Sequence, residues 1–365
     1  MPSSKILEVT AFNKIPGWNK DNHVKTLEAF KRSYFEIKKT AHGFKRLAEF
    51  GGTLQDWLSV PEAALLTTHA RTFFETHFVP FAVTDPMRAE GLFTGYYEPE
   101  AEGSLEQTNL YQVPIYRKPP ELVALTENDQ NTVGLAYGKI ENGRAEAFAT
   151  RQEVESGALA GRGLEIVWLK SWVDAFFIHI QGSGRIRLND GRIIRLAYAA
   201  KNGQPYTGIG GVLLKQGVAT PQTISMQVLR EWMASHPQEA RTLMWKNKSF
   251  IFFRDIDVPS DSLGALGAQQ VHLTPLRSLA VDRSIWMFGT PIWLDTTTPP
   301  ESPNGSQPFR QLMVAQDTGA AIKGHIRGDV YWGWGEQAAL IAGNMKSPGR
   351  MTVLLPHALA QKYLS

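Results

Sequence analysis

The chain has 365 residues, a formal net charge of +3, 43% hydrophobic and 20% charged residues; that allows a large core and more than one domain, and it gives no electrostatic case for nucleic acid. Cysteine is absent, which excludes disulfides and thiolate metal sites. No apolar stretch approaches the length of a membrane span, and the opening Met1-Pro-Ser-Ser-Lys-Ile lacks the basic and apolar regions of a secretory signal, so either a cytoplasmic protein or a form with its signal removed is expected.

Taken in order, Asp21-Asn22 offers a helix N-cap, and Val24, Leu27, Phe30, Tyr34 and Ile37 repeat at helical spacing behind it. Pro61-Glu62 opens a second expected helix, running to about His77. Residues 91–100 change character: Leu92-Phe93 reads as a strand that enters Thr94-Gly95 and then Tyr96, Tyr97 and Glu98. These residues fit a strand end with packed tyrosines. They equally fit a sugar-stacking rim on which Glu98 is a polar contact or a second carboxylate. The polar stretch 101–110, followed by Pro114, Pro119 and Pro120, marks a domain boundary. Beyond it, residues 165–169, 175–181 and 192–198 read as short strands, with a hairpin turn at Asn189-Asp-Gly191. Together they predict a small β-rich inserted domain.

Gln181-Gly-Ser-Gly184 lacks the spacing of a dinucleotide loop, and an arginine-rich strand follows it. His179 falls in an apolar alternation and reads as a core residue. Neither it nor His325 has a second histidine at ligand spacing, so no metal and no cofactor is expected. Thr220-Pro221 starts a helix with Ile224, Val228 and Trp232 on its apolar stripe. Residues 245–254 return to strand structure, and Asp282 ends an apolar strand after Leu273. Residues 299–308 form a surface loop. The stretch 311–335 then carries a buried strand, Asp317, Gly319, Gly324, Gly328, Asp329, and the aromatics Tyr331, Trp332 and Trp334. Carboxylic acids protonate glycosidic oxygens, and rings pack on sugar C–H faces, so the pattern suits a carbohydrate site. Turn aspartates beside core aromatics would give the same spacing. The strand 351–355 closes the chain, and no solenoid-period repeat is present.

Asp282, Asp317 and Asp329, each beside a short strand, resemble the three-aspartate domain of murein-degrading enzymes. Residues 91–99, 179–184, 198–211, 278–283 and 317–335 resemble, in order, the signatures of the lytic murein transglycosylase A family; Pro16-Gly17-Trp18 resembles its N-terminal region. The resemblance implies a β-rich fold with helices. In it, residues 1–111 and 250–365 form a double-psi β-barrel domain, and residues 112–249 form a second, inserted β-barrel domain, with a glycan groove between them. It implies cleavage of the β-1,4 bond between N-acetylmuramic acid and N-acetylglucosamine to a 1,6-anhydro product. Asp329 is then the single acid and base, and Asp317 and Asp282 are supporting acids. Tyr96, Glu98, Gln181, Ser183, Asn202, Tyr206, Lys323 and Trp332 are the expected glycan contacts. Burial against Tyr331 and Trp332 would favour a protonated Asp329, whereas Lys323 or Arg327 nearby would oppose it. The implied partners are peptidoglycan strands and cell-wall synthesis or remodelling proteins. The implied location is the periplasm or the periplasmic face of the outer membrane, although neither a signal nor a lipobox cysteine is present. A hydrolytic glycosidase and a non-catalytic glycan-binding protein are the alternatives.

Overall fold

The structure is a computed structural model that describes residues 6–40, 47–85, 88–220, 224–258 and 263–364, and seventeen strands carry the architecture of these described residues. In chain order they are β1 (Leu7–Val9), β2 (Phe78–Val83), β3 (Gly91–Glu98), β4 (Glu100–Ser104), β5 (Val113–Tyr116), β6 (Val123–Ala124), β7 (Tyr137–Glu141), β8 (Arg144–Glu146) and β9 (Glu165–Leu169). They continue as β10 (Ser183–Leu188), β11 (Ile193–Lys201), β12 (Ile251–Ile256), β13 (Ser278–Val281), β14 (Pro291–Thr297), β15 (Pro308–Asp317), β16 (Arg327–Trp334) and β17 (Lys346–Pro356). The chain divides into two compact units, Met1–Tyr97 with Ser262–Ser365, and Glu98–Asp261. The second unit is wider than the expected 112–249, because β4 pairs with β9 and β10, and β12 pairs with β11. Its sheet therefore recruits strands on both sides of the composition shift.

In the first unit the sheet order is β1-β2-β17-β14-β15-β13-β16-β3, and β17 also pairs with β3. That extra pairing joins the two ends of the run from β17 to β3. The helix His23–Thr40 packs on β15, and Leu27, Phe30, Tyr34 and Ile37 on it are all buried, as the 3.6-residue period predicts. Val24 lies off that stripe and is 57% exposed. Thr26 Oγ1 donates to the Leu312 carbonyl at 2.7 Å, so the helix is also tied by a buried hydrogen bond. The second expected helix is two helices, Ser59–Leu66 and Ala70–His77, because Thr67 adopts an extended backbone at φ −84°, ψ 142°.

In the second unit the six-stranded order is β12-β11-β10-β4-β9-β5, beside the three-stranded β6-β7-β8. Residues 175–181 are not a strand. They belong to the helix Trp172–Gln181, capped by Ser171, whose Oγ accepts from the Val173 and Asp174 N–H groups at 3.1 and 3.3 Å. Gly182, at φ +74°, supplies the left-handed residue that ends it. Ala175, Phe176, Phe177, Ile178 and His179 are all buried, so an apolar run gave no period by which to tell helix from strand. The later helix starts at Met226 with Ser225 as its cap; Pro221 of the expected cap pair lies outside the described residues. Among the described residues no helix is long and apolar enough to cross a membrane.

Candidate active site

Ala280 of β13 is in register with Asp317 of β15 on one side and with Asp329 of β16 on the other. Residues in register on neighbouring strands point to one face. The two aspartates therefore stand in one row with only a methyl group between them, roughly 9–10 Å apart at Cα from two strand spacings. A register shift creates this row. Leu279 pairs with Ala315 but Ala280 pairs with Asp317, so Gln316 is the extra residue of a bulge. Gln316 is fully buried and anchored: its Nε2 donates to Ala29 O at 2.9 Å and Ser33 Oγ at 2.7 Å, and its Oε1 accepts from Ser278 Oγ at 2.5 Å.

Asp329 shares its face of β16 with Arg327 and Tyr331, as the two-residue period requires. Its Oδ1 accepts from the Thr94 hydroxyl and from Arg327 Nη1. Arg327 Nη2 donates to Thr94 Oγ1 at 2.9 Å, closing a three-membered cluster across β3 and β16. The Asp329 side chain keeps 19% of its surface exposed. Asp317 Oδ1 accepts from the Ala268 and Thr318 N–H groups, both at 2.9 Å. Burial nevertheless pushes its carboxyl group up to about 6, with the charge of Asp329 adding to the effect, against those N–H groups and the Tyr96 hydroxyl. Tyr96 packs against Tyr331 with ring centroids 5.3 Å apart. Burial, then the nearby Asp317 carboxyl group, hold its phenol protonated.

Asp282 does different work. Its Oδ1 accepts from the Ser284 N–H and hydroxyl at 3.1 and 2.7 Å and from Lys323 Nζ at 3.3 Å, and its Oδ2 accepts from the Gly324 N–H at 3.1 Å. Burial raises this carboxyl group, but those donors outweigh it and its pKa falls below the usual range. The residue pins the segment that carries Lys323, whose charge meets Asp282 and not Asp329. Trp332 does not join Asp329. Strand alternation sends it to the opposite face, where it packs against Phe309 at 5.7 Å and its indole N–H lies 3.3 Å from Met345 Sδ.

The remaining expected contacts lie in the second unit. Glu98 is 1% exposed, and both its oxygens are occupied. Oε1 accepts from Arg195 Nε at 2.9 Å, and Oε2 accepts from Arg185 Nε at 2.9 Å and Arg195 Nη2 at 2.8 Å. Burial pushes its carboxyl group up against the opposing charges of Arg195 and Arg185. Arg185 and Arg195 are register partners on β10 and β11, and like charges placed opposite each other need a counter-charge between them. Asn202 is also buried: its amide donates to Ala149 O and Lys248 O at 2.8 and 3.0 Å and accepts from the Phe250 N–H at 2.9 Å, which fixes a loop. Ser183 is buried at the start of β10, Gln181 Nε2 lies 3.6 Å from Met226 Sδ, and Tyr206 is 47% exposed. His179 Nδ1 accepts from Arg151 Nη1 at 3.2 Å; burial first, then that guanidinium, hold its pKa well below the usual histidine range, as a core residue. Among the described residues no three His, Asp or Glu side chains are grouped as metal ligands.

Thr94 was not singled out from the sequence, and Arg327 was weighed only as a nearby charge. The signal for both was alternation: Arg327 is two residues before Asp329 on a strand, and Thr94 lies in a signature-bearing strand of its own.

Two family models match the chain, an MltA specific insert domain over residues 92–254 and a 3D domain over residues 277–355. A membrane-bound lytic murein transglycosylase A of Vibrio cholerae is 32% identical over 265 residues, covering 71% of this chain and 64% of that protein. The chain thus spans less than two thirds of the length of such curated relatives. The crystal structure of a membrane-bound lytic murein transglycosylase from Agrobacterium tumefaciens superposes with a TM-score of 0.89 at 37% identity, covering 98% of this chain and all of that one, 100%. Escherichia coli MltA with bound chitohexaose superposes with a TM-score of 0.67 at 27% identity, covering 90% of each chain.

Proposed function

Because the chain belongs to the MltA family of lytic murein transglycosylases, we propose that it cleaves the β-1,4 bond between N-acetylmuramic acid and N-acetylglucosamine in peptidoglycan, with Asp329 as its single acid and base. The observation that carries this reading is the Asp329 carboxyl group, clamped on one oxygen by Thr94 and Arg327 and still partly exposed. As an acid it protonates the leaving oxygen. As a carboxylate it takes the proton from the muramyl C6 hydroxyl, which attacks C1. The nucleophile belongs to the substrate, so no second carboxylate has to activate water. Chitohexaose bound to the Escherichia coli relative supports a glycan ligand.

The same reading makes the strands from β17 to β3 a double-psi β-barrel and the Glu98–Asp261 unit the inserted domain. It places the protein at the periplasmic face of the outer membrane or in the periplasm, with cell-wall synthesis or remodelling proteins as partners. Tyr96, packed on Tyr331, and Lys323, paired with Asp282, are proposed glycan contacts; Gln181, Ser183 and Tyr206 carry that proposal within their own unit. A hydrolytic glycosidase is the second reading, favoured by Asp317, which stands in the Asp329 row with its carboxyl group raised to about 6. Digestion of purified murein separates the two. Soluble muropeptides that lack the added water support the transglycosylase; hydrated reducing ends identify the hydrolase; an intact sacculus refutes both.

A further inference from the structure

We propose that Arg327 and Thr94 are positioning residues that make Oδ2 of Asp329 the oxygen that carries the working proton. The inference rests on Asp329 being the acid and base. Arg327 is held in place by more than its ion pair: Nη1 also donates to the Gly328 carbonyl at 2.7 Å and Nη2 to Thr94 Oγ1 at 2.9 Å. Thr94 has one hydroxyl hydrogen. Since its oxygen already accepts from Arg327, that hydrogen is free to go to Asp329 Oδ1, where the structure puts it. Oδ1 therefore faces two donors, the Thr94 hydroxyl and Arg327 Nη1. A proton on Oδ1 would take up one of its two acceptor positions and displace at least one of these donors, so the proton of the acid form resides on Oδ2. Among the described residues Oδ2 accepts no hydrogen bond, which leaves it open to a substrate.

The step then closes without any further group. Oδ2–H passes its proton to the glycosidic oxygen as the C1–O bond breaks, and the bonding pair leaves with that oxygen. The C6 oxygen forms its bond to C1, and the C6 hydroxyl proton returns to Oδ2. The enzyme ends in the protonation state in which it began. Throughout, the Oδ1 donors stabilise the carboxylate that exists between the two transfers. Such preorganised donors act on the transition state more than on bound substrate.

The bland account is that Arg327 and Thr94 only tie β3 to β16, and steady-state kinetics of the full chain on purified murein tell the two apart. Arg327→Met should lower kcat by about 10²-fold, the loss typical of one missing transition-state donor, with KM moved by less than about twofold. Arg327→Lys should recover part of the rate, and Thr94→Ser should recover what Thr94→Val loses. The proposal is overturned if Arg327→Met or Thr94→Val keeps kcat within about twofold of wild type, or if the loss follows the unfolded fraction and Thr94→Ser gives no rescue. If Arg327→Met does not fold, the Thr94 pair decides. A wild-type chain that releases no anhydro-muropeptide refutes the Asp329 reading and this inference with it. An active wild type with an inactive Asp329→Asn and fully active Arg327 and Thr94 variants refutes this inference alone.

Discussion

Glu98 and Asp329 are both held by arginine, and they differ in how far each is buried and in how many of its oxygens are occupied. Glu98 is 1% exposed between Arg185 and Arg195, and both its oxygens accept from guanidinium groups. Asp329 meets one arginine and one hydroxyl on a single oxygen and keeps its side chain 19% exposed. The first arrangement repays the desolvation of charges only by completeness, since a buried ion is tolerated when all its partners are present. The second leaves one oxygen without a hydrogen bond among the described residues, as the proposed exchange of protons with a glycan requires.

The sharpest way to break this contrast is Asp329→Asn. The amide oxygen still accepts from Thr94 and Arg327, so thermal unfolding should change little, while murein-solubilising turnover falls by about 10⁴-fold, the upper end for a general acid–base group. Retention of more than about a tenth of the rate would remove Asp329 from the chemistry. Glu98→Gln should do the opposite. It removes the carboxylate charge that both arginines, each 4% exposed, face across their hydrogen bonds, and should cost about 3–5 kcal/mol of stability. Denaturant unfolding measures this, and a loss below about 1 kcal/mol would show that the cluster is not held by its charge.

Asp317→Asn gives the smallest effect and depends on pH. The carboxyl group of Asp317 is raised from 3.8 to about 6 in the fold. The folded state therefore holds the proton more tightly than the unfolded chain does. That stabilisation is fully present below about pH 4 and is lost as pH rises through about 6. The shift corresponds to about 2 kcal/mol after allowing for partial exposure. Asparagine keeps the two N–H bonds and carries no charge, so the variant should gain on wild type by that amount between pH 4 and 7. Parallel stability curves over this window would contradict the raised carboxyl group.

What the sequence disclosed follows the same division. The helix face of Leu27, Phe30, Tyr34 and Ile37 was legible because one side of that helix is buried and the other is not. Asp282 and Asp317 were legible because each ends an apolar strand, and Asp329 because a glycine precedes it and aromatic residues follow it. Residues 175–181 were misread because every side of that helix is covered, which erases the period. Glu98 looked like a groove residue because its partners lie 87 and 97 positions away, a separation no local pattern encodes. Trp332 was grouped with Asp329 by proximity in sequence, yet three positions along a strand means the opposite face.

The bulge at Gln316 carries a last consequence, which is arithmetic. Side chains on a strand have only two phases, so whether Asp317 meets Asp329 depends on an odd or even count of residues and not on any gradual adjustment. Point substitutions cannot alter that parity; a single deletion or insertion in β15 reverses it. Residue changes along this strand are limited by its packing, whereas a change in its length would break the alignment of the paired carboxylates outright.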